Sequence, residues 1–129
     1  MQAAPDYGDV VAEVKAFLAG RVAACRAAGI AEDRLVVDPG FCFGKTLAHN
    51  IALLRALPEF AAGGIALLAG LSRKSMLGAL TGRPVAERLA ASLAAAVLAA
   101  EKGARILRVH DVAATRDALA VLAAVDKGV

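Results

Sequence analysis

The stretch VVDPGFCFGKT, Val36 to Thr46, is a β-branched pair that empties into a glycine loop ending Gly44-Lys45-Thr46. That ending suggests a phosphate-cradling P-loop, which places four residues between its first glycine and the Gly-Lys pair so that successive N–H groups wrap the phosphates. Only Phe41, Cys42 and Phe43 separate Gly40 from Gly44. The loop is one residue short, and its Asp-Pro and two aromatics serve no nucleotide cradle. What remains is a buried strand, Leu35–Val37, ended by Pro39 because proline has no N–H for a ladder, with Asp38 at its tip and Thr46 placed to cap a helix.

Outward from this stretch the same unit repeats. Upstream, Asp9 caps a helix of about five turns whose apolar stripe is Val10, Val14, Leu18, Val22 and Cys25, stopped by Gly29; Cys25 reads as core. Downstream, the Thr46 helix carries Ile51, Leu54 and Leu57 and closes at Pro58. A second strand, Ile65–Ala69, breaks at Gly70. After Ser72-Arg73-Lys74-Ser75 and a short helical piece, Pro84 opens a longer helix with Glu87 near its positive end and a stripe of Val85, Leu89, Leu93, Ala96 and Ala100. Lys102 and Gly103 end it. The third strand is Arg105–Val109, and Asp111 caps a last helix bearing Leu119, Leu122 and Val125.

Strands separated by helices imply parallel pairing through crossovers. Two α/β architectures fit: a small open sheet covered by helices, or the last part of a (β/α)8 barrel, which when complete has eight strands in about 250 residues. This chain supplies three strands and opens on a helix.

With 129 residues the chain is the size of one domain, residues 1–129. Hydrophobic residues make up 59% of it, with mean hydropathy +0.62, so a membrane role has to be tested. The longest uncharged runs, Phe60–Ser72 and Leu89–Ala100, fall below the roughly 18 residues of a spanning helix. A polar opening without a lipidation motif favours the cytoplasm. The net charge of +3 is scattered, and one Tyr, four Phe and no Trp make no stacking platform, which argues against nucleic acid. Cys25 and Cys42 form no metal-ligand spacing, and no clustered His or Asp set suggests a tightly held metal.

Loops after the C-terminal ends of parallel strands share one rim, where ligands bind. Asp38, the Ser72–Ser75 segment and Arg108-Val109-His110-Asp111 all fall there. Asp38 can cap its own turn or accept two parallel N–H bonds from a guanidine-like edge. Lys74 opposes the helix dipole, so an anion or carbonyl beside the Ser72 and Ser75 hydroxyls explains it better than solvent does. Arg108 points away from the face of Leu107 and Val109 and can stack on a flat ring or grip phosphate oxygens. His110 adds a second donor. His49 lies within a helix and reads as structural.

DPGFCFGKT with His49-Asn50, LAGLSRKSMLG, ERLAASLA and RVHDV, in that order and spacing, closely resemble the C-terminal half of the dihydropteroate synthase family, from about Tyr7 to the end. The resemblance implies a (β/α)8 barrel that joins 6-hydroxymethyl-7,8-dihydropterin diphosphate to para-aminobenzoate, releasing diphosphate in folate synthesis, with sulfonamides competing for the second site. Asp38, Lys74 and Arg108 would bind the pterin; Phe43, Lys74 and Ser75 would frame para-aminobenzoate; Arg108 and His110 would hold diphosphate. Lys74, Arg108 and His110 would carry the catalysis. Mg2+ would be held mainly by the diphosphate and the family's front half, and a homodimer would form through late helices. Cys42 stands where the family commonly has glycine, so a backbone needing positive φ there would be strained, and a thiol would stand near the site. Three strands of a barrel leave two open edges. The isolated chain is therefore expected to be inactive, and the alternative is a fragment that self-associates or complements a front half.

Overall fold

A computed structural model describes residues 7–127. Helix α1 spans Val10–Ala27, and the Asp9 carboxylate accepts the Ala12 N–H at 3.1 Å, as its capping role requires. Val10 and Val14 are buried, while Leu18, Val22 and Cys25 are only half-buried. Cys25 is therefore not core: the later turns of α1 stand over an open cleft of about 240 Å³ shared with Val37, Phe60 and Ile65.

Strand β1 is Val36–Val37, β2 is Ala66–Ala69 and β3 is Ile106–Leu107; they form one parallel sheet in the order β1-β2-β3. Each is shorter than its hydrophobic run. Around β3 the pairing reaches further on one side, since Arg105 N–H donates to Leu67 O at 2.8 Å and Arg108 N–H to Ala69 O at 3.1 Å. Helix α2, Leu47–Arg55, starts at a capping box in which Thr46 and His49 satisfy each other's backbone N–H groups at 3.1 Å, so His49 is structural as expected. Pro58 does not close α2. It sits in the first turn of a short helix α3, Leu57–Ala61, because proline lacks the N–H that no helix start needs.

Helix α4 is Ser75–Thr81, α5 is Leu89–Glu101 and α6 is Val112–Lys127. The helix expected from Pro84 divides: Pro84 is extended at ψ 165°, Val85–Glu87 make a 3₁₀ turn, and α5 begins after Arg88. Its buried face is Ser92, Ala95, Ala96 and Ala99, whereas Val85 and Leu89 are exposed. With alanine at most positions, side-chain size offered no periodic contrast, and close approach of small residues chose the packed face. Asp111 does not give its carboxylate to α6 as expected, because Arg73 takes it at 2.8 and 3.3 Å.

Leu67 and Ala69 of β2 point into a core completed by Phe41, Leu53, Leu57, Phe60, Met76, Leu77 and Ala99. By the strand register, Val36, Ala66, Leu68 and Ile106 share the other face, where Val36 and Ile106 are exposed. One side of the sheet is thus covered by helices and the other is open, and both carry the same strand tips to one rim.

Candidate functional site at the strand tips

Asp38 follows β1 directly. Its Oδ1 accepts the Gly40 N–H at 2.8 Å, which sets the turn into the loop, and its Oδ2 lies 3.6 Å from Nη1 of Arg108 across the rim. Turn-capping and facing the site are therefore both uses of one carboxylate. Arg108 is 56% exposed, and its guanidinium lies above Gly70, where an added Cβ would come 2.5 Å from Nη2. A side chain at position 70 would therefore displace the Arg108 guanidinium from this place.

Lys74 Nζ crosses to the first loop. It donates to Phe41 O at 2.9 Å and sits 5.0 Å from the centre of the Phe43 ring. Burial lowers its pKa below the ordinary lysine value; Arg108 and Lys45 push the same way, and Cys42 and Asp38 oppose them. Ser75 opens α4 and is exposed, as is Phe43. Ser72 does not stand beside Lys74 as a free hydroxyl. Its Oγ is 2.8 Å from Nδ1 of His110 and accepts the His110 N–H at 3.2 Å.

Asp38, Phe43, Lys74 and Arg108 thus converge, with His110 on the adjoining loop. Two residues that sequence reading left aside shape the site. Lys45, only 8% exposed, donates its ammonium to Gly40 O at 2.9 Å and Phe43 O at 3.0 Å. Buried Asn50 accepts the Cys42 N–H at 2.8 Å and donates to Thr46 O at 3.0 Å. Cys42 has φ 71°, so a residue with a side chain occupies a left-handed position that favours glycine. Carbonyls of residues 40, 41 and 43 therefore turn toward ammonium groups. A phosphate cradle presents N–H groups instead, so this loop has the opposite polarity. A lysine inside a glycine loop was a visible signal for the first of these; the pairing of Asn50 with Cys42 had none.

Arg73, at φ 57°, is held from outside its own loop. Its N–H donates to Oγ of buried Ser92 at 2.9 Å, and its carbonyl accepts from Arg88 Nη1 at 3.0 Å. Among the described residues no group of three or more His, Cys, Asp or Glu side chains is placed to hold a metal ion.

Residues 1–110 match the family of the pterin binding enzymes. This chain belongs to that family. Dihydropteroate synthase of Neisseria meningitidis serogroup C is 59% identical over 121 residues, covering 92% of this chain and 43% of that protein. The crystal structure of dihydropteroate synthase from Stenotrophomonas maltophilia, with imidazole bound in its active site, superposes with TM-score 0.95 at 56% identity over 98% of this chain and 48% of that one. The Xanthomonas albilineans enzyme in complex with 7,8-dihydropteroate gives TM-score 0.93 at 54% identity, with the same coverage of 98% and 48%. The chain spans about half the length of the relatives it matches. Its three parallel strands and their helices are a partial (β/α)8 barrel. Among the described residues no helix is long and apolar enough to cross a membrane.

Proposed function

We propose that this chain supplies one wall of a dihydropteroate synthase site, in which 6-hydroxymethyl-7,8-dihydropterin diphosphate condenses with para-aminobenzoate. The observation that carries this reading is the convergence of Asp38, Lys74 and Arg108 on one rim, with the Asp38 and Arg108 side chains 3.6 Å apart. Asp38 Oδ2 is free of the turn bond and accepts from the pterin's aminopyrimidinone edge. Lys74 donates to the ring's oxygen and nitrogen. Arg108 stacks on the ring and, with His110, grips the diphosphate. Exposed Phe43 and Ser75, with Lys74 between loops, frame para-aminobenzoate.

In the reaction the amine nitrogen's lone pair forms a bond to the pterin's methylene carbon as the carbon–oxygen bond to diphosphate breaks. The bonding pair leaves on the diphosphate oxygen, and the amine gives up a proton to solvent. Fixed cations at Arg108 and Lys74 meet the charge that develops on the leaving group, so no protein nucleophile is needed. Mg2+ when bound would neutralise part of that charge. The described residues offer it no cluster of ligands. A cytoplasmic location and a homodimer through late helices complete the proposal; exposed Leu98, Val121 and Val125 on α5 and α6 favour the second.

Formation of dihydropteroate from labelled para-aminobenzoate is the test. The chain alone should give none, and mixing it with a segment carrying the remaining strands should restore turnover. Replacing Arg108→Gln in the mixture should abolish it; undiminished product would overturn the assignment. A second reading, a fragment that self-associates, rests on exposed Val36 and Ile106 at the sheet's two edge strands. Sedimentation of Val36→Lys and Ile106→Lys variants separates the two, since association through the late helices survives these changes and edge pairing does not.

A further inference from the structure

Ser72 is only 9% exposed and sits in the turn that Lys74 N–H closes on Leu71 O, yet its hydroxyl caps neither that turn nor a helix, and both of its contacts are to His110. The two residues follow neighbouring paired strands, β2 and β3, so their loops are joined across the rim. Backbone N–H of His110 is a donor only, and at 3.2 Å it occupies one lone pair of Ser72 Oγ. The remaining contact of that oxygen is Nδ1 of the same histidine at 2.8 Å. If neutral His110 carried its proton on Nδ1, the serine would accept twice and its own O–H would have no acceptor among the described residues. With the O–H donating to Nδ1, every group is satisfied.

We propose that Ser72 is a positioning residue that fixes neutral His110 as the Nε2–H tautomer and aims this N–H at the diphosphate. The proposal rests on the functional reading above for its ligand, but not for the tautomer. With Nδ1 engaged by the serine, Nε2–H of neutral His110 is the ring's remaining donor, beside the guanidinium of Arg108, and the two form an anion grip.

Two measurements on the full chain, together with the segment that completes the barrel where binding is read, test this. In wild type, the ¹⁵N spectrum of the His110 ring should show a protonated Nε2 and an acceptor Nδ1 at alkaline pH; a protonated Nδ1 overturns the proposal. Binding of inorganic diphosphate should weaken about tenfold in Ser72→Ala and recover in Ser72→Thr, which keeps the hydroxyl. In the His110→Ala background the same Ser72→Ala change should cost nothing further; an additive loss would make Ser72 a direct ligand or a fold determinant and overturn the positioning role. Should wild type bind no diphosphate while its ring shows the Nε2–H form, the tautomer assignment is supported and the diphosphate reading alone fails.

Discussion

The two rim loops each contain one non-glycine residue in the left-handed region, Cys42 at φ 71° and Arg73 at φ 57°, and they hold it in different ways. Cys42 is buried and pinned by Asn50, eight residues along the chain, inside a loop whose other clamps, Lys45 and the Thr46 cap, are equally near. Arg73 is exposed and pinned by Arg88, Ser92 and Asp111, which lie 15, 19 and 38 residues away. The first loop is a local object that the second half-turn of α2 closes. The second exists only once α5 and β3 are in place. Lys74 then joins them, reaching 33 residues back to Phe41 O.

The sharpest way to break this comparison is to cut the local clamp. Asn50→Ala removes an acceptor from Cys42 N–H and a donor from Thr46 O in a buried place, and should destabilise the chain by about 2–4 kcal/mol in urea unfolding, two lost bonds at roughly 1–3 each less some rehydration. Ser92→Ala strips the Arg73 N–H of its acceptor but leaves Arg88 and Asp111 in place. It should cost about 1–2 kcal/mol, and hydrogen exchange should speed up at Arg73 and not at Cys42.

Relief of backbone strain should separate the loops by sign. A left-handed non-glycine residue costs roughly 1–2 kcal/mol. Arg73→Gly removes that cost and loses an exposed ion pair to Asp111 worth about 0.2–1 kcal/mol, so a gain of about 0.5–1 kcal/mol is expected. Cys42→Gly removes the same strain but uncovers a buried side chain worth about 1 kcal/mol, and should fall within about 0.5 kcal/mol of wild type. Equal gains in both variants would show that the two loops do not differ as described.

The smallest effect concerns the bridge between them. Lys74 has a pKa lowered by burial, so the folded chain binds its proton less tightly than the unfolded chain does. The penalty is complete below the folded pKa and is relieved as pH rises from there toward 10.5, so this lysine makes stability climb slightly through that alkaline window. Arg108→Gln should raise the Lys74 pKa and Asp38→Asn should lower it further, read by ¹³C titration of the Lys74 side chain. No change in either would mean that the rim charges do not sense one another.

Much of this is legible in the residue types alone. Asp9 and Thr46 as caps, the three strands and the rim position of Asp38, Lys74 and Arg108 all follow from residue types within a few positions of each other. Illegible were the features set by contacts distant in sequence. The buried face of α5 could not be read where alanine fills both faces, and Asp111, a plausible cap by its neighbours, answers instead to an arginine on another loop.

By itself the sequence determined the order of the three strands and the longer helices, the starts that Asp9 and Thr46 cap, and which polar side chains stand at the strand ends, because backbone propensity and capping act over a few bonds. Tertiary structure alone decided which of those polar groups meet: that Lys74 takes the Phe41 carbonyl, that Ser72 takes His110, and that Arg108 lies over Gly70. Hydrogen-bond partners are settled by distances of about 3 Å, and parallel strands joined by helices bring such neighbours together from dozens of residues apart.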